Sequence, residues 1–201
     1  MVKQVKTIKE KIINEITIFE PTVQIYNDAL SYFVEVVNNE FVDLSIYTTK
    51  DLVPLIERLT HTTKGNPFPK YTDFNLLFYK FPCYFRRAAI SSAIGKVSSY
   101  RSLKDNWIEE KDTAKTEGKK FTKKIPSLQL KHKEFPVFYK GNMFKRIDEH
   151  FVEIKLFIQN DWVWKTIQVK AICLAKRDLL DWKVCNPKLI QIGKKYILAT
   201  S

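Results

Sequence analysis

The spacing of apolar residues divides the chain into a helix-patterned first half and a strand-patterned second half. The longest segment with a single period is Pro82–Trp107, PCYFRRAAISSAIGKVSSYRSLKDNW. Wound at about 100° per residue, it sets Phe85, Ala89, Ala93, Tyr100, Leu103 and Trp107 along one side, with Ile90 and Val97 on the flank. That side is expected to face a core, and Pro82 suits a first turn, where its missing N–H is not needed. Upstream, Val23, Tyr26, Ala29, Leu30, Phe33, Val34 and Val37 step by threes and fours, which predicts a helix from Glu20 to about Asn38. After a connection over Phe41–Tyr47, Thr48 and Asp51 resemble a capping box opening a short helix through Leu59, interrupted early by Pro54. Gly65, Pro67 and Pro69 predict a loop over Thr60–Tyr71, followed by a helical turn or two in Thr72–Tyr79. The opening residues Val2–Ile16 fit a charged strand as well as a short helix.

The period then changes. Val152, Ile154, Leu156 and Ile158 alternate with Glu153, Lys155 and Phe157, a turn follows at Gln159–Asp161, and Trp162–Lys170 returns, which predicts a β-hairpin. Ala171–Trp182 fits a strand or a short helix. Asn186-Pro187 predicts a turn before Leu189, Ile190 and Ile192, and Gly193-Lys194 a turn before Tyr196–Ala199, which gives a second hairpin. Between the halves, KDTAKTEGKKFTKK from Lys111 to Lys124 holds one large apolar residue, Phe121, and reads as a linker or mobile loop. The fold class is therefore α+β, with a helical lobe inserted into or preceding a mostly antiparallel β-barrel or sheet lobe.

At 201 residues with 45% apolar content the chain can build one substantial core or two small lobes. The formal net charge of +12 changes the picture more. Such an excess costs self-repulsion and points to a polyanionic partner, nucleic acid first. A membrane surface is not expected, because no segment pairs a lysine-rich face with a bulky apolar one. Without a signal-like apolar core or a run of about 20 apolar residues, the expected location is the cytoplasm. Cys83, Cys173 and Cys185 lack a C-x-x-C pair, and His61, His132 and His150 are scattered, so no metal site, cofactor or disulfide framework is expected. The sequence also shows no nucleophile with a nearby base and no phosphate-cradling glycine loop.

Two stretches are candidates for nucleic-acid contact. The polar side of the long helix carries Arg87, Ser91, Ser98, Arg101 and Ser102, guanidinium groups framing small hydroxyls that suit a phosphate backbone; the alternative is a solvated helix face. From Lys111 to Arg146, basic residues including Lys119, Lys120, Lys123, Lys124, Lys131, Lys133, Lys145 and Arg146 mix with aromatics such as Phe121, Phe135, Phe138 and Tyr139. That mixture suits a groove that neutralises phosphates and stacks bases. The alternative is a linker running into ordinary core strands whose aromatics point inward.

Four segments in order, FRRAAISSAIGKVSSYRSLKDNW, IPSLQLKHKEFPVFYKGN, VEIKLFIQNDWVWKTIQV and NPKLIQIGKKYIL, resemble the amino-terminal half of TnpB proteins, transposon-associated RNA-guided DNA endonucleases. The resemblance implies a first wedge-barrel strand in residues 1–14, which tips the ambiguous opening toward strand. It further implies a helical recognition lobe in 15–110, a linker in 111–120 and the rest of the barrel in 121–201. It also implies guide RNA and target DNA as partners, with sequence read largely by base pairing. That family cuts DNA with a RuvC-like domain of three carboxylates and usually carries a four-cysteine zinc module. The acids here lie singly among basic residues, so the chain is expected to be a non-catalytic nucleic-acid-binding half. The alternative is a structural partner that completes a separately encoded nuclease half.

Overall fold

The computed structural model describes residues 7–13, 16–41, 46–171, 185–193 and 195–200. The fold is α+β, with helices and a curled antiparallel sheet. It forms two compact units, the first from residues 1–26, 78–85 and 133–201, the second from 27–77 and 86–132.

The first unit is built on a six-stranded sheet. Its strands are β1 (Ile8–Ile12), β2 (Phe144–Arg146), β3 (Phe151–Ile158), β4 (Asp161–Ala171), β5 (Lys188–Ile192) and β6 (Lys195–Thr200), in the order β2-β3-β4-β1-β6-β5. Each neighbouring pair is antiparallel. Within the opening segment, whose period alone left strand and helix open, Ile8–Ile12 is thus a strand flanked on both edges, Ile12 opposite Val169 and Glu10 opposite Leu198. Both expected hairpins are present. The first turns through Gln159 (φ 50°) and Asn160 (φ 62°) between the paired Ile158 and Asp161, the two left-handed residues of a tight hairpin whose twist matches its strands. The second joins β5 to β6 through Gly193 (φ 59°). Residues 172–182 of the Ala171–Trp182 segment lie outside the described residues.

One face of the sheet carries Ile12, Val152, Ile154, Leu156, Ile167, Val169, Leu189 and Leu198, all buried, with Phe19, Phe138 and Met143 buried in the same unit. Glu10 and Arg146 share that face. Three strand steps separate them, about 14 Å in a flat sheet. Their side chains nevertheless meet in a two-pronged ion pair, Nη1–Oε1 2.8 Å and Nη2–Oε2 2.5 Å. The sheet must therefore curl into a half-barrel with this pair on its inner face.

The second unit is helical. It holds most of α1 (Glu20–Glu40), then α2 (Thr49–Thr60), the single turn α3 (Phe74–Leu77) and most of α4 (Cys83–Thr116). Thr48 caps α2 by accepting the Asp51 N–H at 3.3 Å. Phe33 and Tyr32 of α1 meet the ring of Phe74 at 4.9 and 5.4 Å. Along α4, Ala89, Ile90, Ala93 and Val97 are buried, but Leu103 is 58% exposed, so the core-facing side ends earlier than its period suggests.

The helix itself runs on past Trp107 to Thr116, into the stretch 111–124 that composition assigns to a linker. The reason is propensity: Ile108–Thr116 contains neither Gly nor Pro, and a polar composition does not by itself break a helix. The stop comes at Gly118 (φ 65°), where Lys119 N–H reaches Ala114 O at 2.8 Å and Gly118 N–H reaches Lys115 O at 3.2 Å. This glycine cap turns the chain back along its own helix. The indole N–H of Trp107 donates to Lys123 O at 2.9 Å, and the Phe121 ring stands edge-on to Trp107 at 5.5 Å.

Candidate nucleic-acid interface

On α4 the polar stripe exists as a surface: Arg87, Ser91, Ser98 and Ser102 are exposed. Its two arginines are engaged within the protein. Arg87 Nε lies 3.3 and 3.1 Å from the Glu57 carboxylate oxygens. Arg101 is half-buried and donates from Nη2 to Asn38 O at 3.0 Å, closing one of the last carbonyls of α1, where a cation also suits the helix dipole.

In the lysine-rich segment after Gly118, charge is answered locally. Lys119 pairs with Glu117 at 2.7 Å and Lys123 with Glu110 at 2.6 Å. Lys120, Lys124, Lys131 and Lys133 are exposed. Glu109, Glu110 and Glu117 line a shallow cleft beside Phe121 and Lys123, so acidic side chains stand among the basic ones.

The remaining candidates belong to the first unit. Tyr139 is half-buried and stacked on Tyr84, with centroids 4.6 Å apart and planes 23° from parallel. Lys145 and Arg146 are neighbours on β2 and therefore point to opposite faces. Arg146 is committed to Glu10 on the inner face. Lys145 lies on the outer face with Nζ 4.4 Å from the Trp164 ring and 3.9 Å from Glu153.

The outer face of the sheet also gathers lysines that sequence reasoning did not single out. Lys188, Ala199 and Lys9 form one cross-strand row, and Ile190, Ile197, Lys11 and Lys170 the next. Directly opposite residues share a face, so Lys9, Lys11, Lys170 and Lys188 lie on one patch that spans the neighbouring strands β5, β6, β1 and β4. All four are exposed and make no ion pair among the described residues. Lys11 and Lys170 stand directly opposite each other, an arrangement that costs about 0.2–1 kcal/mol when nothing neutralises it. Farther along the same face, Lys155 is opposite Trp164, whose ring Lys145 overhangs. A signal for the patch was present in IKEKI: with β1 taken as a strand, the period of two puts Lys9 and Lys11 together opposite the buried Glu10 and Ile12.

Among the described residues no cluster of three or more His, Cys, Asp or Glu side chains could hold a metal ion, and no helix is long and apolar enough to cross a membrane. The architecture is that of an α+β protein with a curled antiparallel sheet. Residues 5–158 match the Aq_aa04 family, and the chain belongs to it. The family name states no activity, ligand or partner. A comparison with curated proteins found no match.

Proposed function

We propose that the chain is a non-catalytic nucleic-acid-binding module whose main contact surface is the outer face of the curled sheet. The observation that carries this reading is the cross-strand pair Lys11–Lys170 within a patch of four exposed lysines that has no counter-charge among the described residues. A phosphate backbone would neutralise such a patch and relieve its repulsion. Farther along the same face, Trp164, flanked by Lys145 and Lys155, adds an aromatic surface suited to stacking on an unpaired base. The net charge of +12 supports the same class of partner. The resemblance to TnpB extends the proposal to a guide RNA and its DNA target as the bound species.

The test is the salt dependence of binding to duplex DNA and to single strands. Each neutralised phosphate contributes about −0.9 to the slope of log affinity against log salt on duplexes and about −0.7 on single strands. Replacing Lys9, Lys11, Lys170 and Lys188 together with Gln is expected to make that slope shallower by roughly 3 units, equally for unrelated sequences. Absence of binding by the native chain at low salt, or an unchanged slope in the variant, overturns the assignment.

A further inference from the structure

The second unit contains a cleft of about 240 Å³ that none of the preceding readings uses. Three arginines line it, Arg58 from α2 and Arg86 and Arg87 from α4, against one acidic residue, Glu57. The cleft therefore keeps a surplus of two positive charges. Arg86 keeps only 8% of its side-chain exposure, and burying a cation is costly unless an anion answers it. Glu57 answers only part of it. Its Oε1 takes Arg86 Nε at 3.1 Å, and its two oxygens also share Arg87 Nε.

Glu57 thus holds both arginines from the side, through Nε. Their Nη groups, the pair that grips a phosphate or carboxylate end-on, make no hydrogen bond among the described residues. Arg58 makes no ion pair among them either; only its backbone carbonyl is used, accepting from Asn66 Nδ2 at 2.7 Å. That bond, with the reciprocal backbone pair of Thr63 and Asn66, fixes the loop that forms one wall. His61 completes the lining. Burial, and then the charge of Arg86, push its imidazole below the usual histidine range, so at neutral pH it adds a hydrogen-bonding group and no charge.

We propose that this cleft binds a phosphomonoester, the dianionic phosphate carried by a mononucleotide or by the phosphorylated end of a nucleic-acid strand. A dianion matches the surplus charge, whereas a backbone phosphodiester carries half of it. The volume falls short of the roughly 300–1,000 Å³ of pockets that enclose whole drug-sized ligands, which suits a phosphate with part of its sugar. The cleft belongs to the second unit and the sheet face to the first, and neither assignment rests on the other.

The experiment uses the full chain. Thermal shifts are recorded with inorganic phosphate, AMP and adenosine, and affinities are measured for a short oligonucleotide bearing either a 5′-phosphate or a 5′-hydroxyl. AMP is expected to raise the melting temperature where adenosine does not, and the 5′-phosphate to tighten strand binding by about tenfold. Arg58→Gln and Arg87→Gln change exposed side chains and are expected to keep the native fold while bringing that preference to within about twofold. Arg86→Lys keeps the charge but loses the fork, and is expected to lose the preference as well. In the Lys11→Gln, Lys170→Gln chain, where the sheet contact is weakened, a 5′-phosphorylated strand still bound far more tightly than AMP identifies a strand end as the source of the phosphate, and equal affinities identify a mononucleotide. Lys11→Gln with Lys170→Gln is expected to weaken strand binding and leave the AMP shift unchanged, which separates this site from the sheet face. Equal shifts with AMP and adenosine, or a phosphate preference that survives Arg58→Gln and Arg87→Gln, overturns the proposal.

Discussion

The segment Lys119–Lys124 and the patch Lys9, Lys11, Lys170 and Lys188 on the outer face of the curled sheet each carry four lysines, but they differ in what stands beside the charge. In the segment the lysines are sequence neighbours, and the helix they fold back along supplies glutamates: Glu117 and Glu110 pair with Lys119 and Lys123. On the sheet, Lys9, Lys11, Lys170 and Lys188 come from three strands, and hydrogen-bonded pairing fixes their spacing regardless of repulsion. Density along the chain therefore says little about potential at the surface. A run folded back along its own helix meets counter-ions there, whereas a strand ladder can hold like charges together until a partner arrives.

The largest expected effect separates the two regions directly. Replacing Lys119, Lys120, Lys123 and Lys124 with Gln is expected to change the salt slope of nucleic-acid binding by less than about 2 units, because the pairs with Glu117 and Glu110 already neutralise half the set. The sheet quartet is expected to change it by roughly 3. Equal changes would mean that the ion pairs in the segment open on binding and that the contrast has no functional meaning.

A second test uses the two neighbours on β2. Arg146→Ala strands Glu10, whose side chain is 8% exposed, and is expected to cost about 2 kcal/mol, less than the roughly 3–5 kcal/mol of a fully buried pair because Arg146 itself remains 41% exposed. Lys145→Gln, one residue away on the outer face, is expected to stay within about 0.5 kcal/mol of the native stability and to weaken nucleic-acid binding. Denaturant unfolding of both variants checks this. A stability loss for Lys145→Gln as large as for Arg146→Ala would make the outer face structural as well.

How much of this was legible beforehand depends on the scale of the signal. The β3–β4 hairpin was legible because Val152–Ile158 alternates over a full strand, and the core side of α4 because Phe85, Ala89 and Ala93 repeat at helical spacing. The end of α4 was not, since Ile108–Thr116 is polar without being a helix breaker, and only Gly118 carries the stop. Arg146 read as a phosphate ligand because its partner Glu10 lies far away in sequence and is reached only when the sheet curls. The lysine patch was hidden for the same reason: which lysines become neighbours is decided by strand order, and no local pattern states that β1 inserts between β4 and β6.

Gly95 offers a third test, on the α4 stripe. It lies inside the helix, and a Cβ added there meets nothing within 4 Å. Gly95→Ala is therefore expected to stabilise the chain by about 1 kcal/mol through helix propensity. Because the sheet is assigned the main contact, binding is expected to be unchanged. A tenfold or larger loss of affinity, about 1.4 kcal/mol, would instead place a nucleic-acid backbone against the stripe, where only a glycine lets it approach.

The smallest effect asks whether the sheet patch holds repulsion in reserve. Lys11 faces Lys170 across the β1–β4 ladder, and both are exposed. Lys11→Glu turns a like-charge pair into an opposite-charge pair at the same register, which is expected to raise stability by about 0.2–1 kcal/mol. Lys and Glu are both poor strand formers, so intrinsic preference should not mask the gain. Lys11→Gln removes the repulsion without adding attraction and is expected to fall between the native chain and Lys11→Glu. Added salt should shrink the differences, since the charges are exposed and screening acts within about 8 Å at physiological ionic strength. Nucleic-acid affinity is expected to move in the opposite order, weakest for Lys11→Glu. Stability and affinity changing in opposite directions across the three chains is the signature of charge held for a partner. If Lys11→Glu is instead the least stable of the three at low salt, Lys11 already has a stabilising neighbour, and the patch is not the unneutralised surface that the proposed function requires.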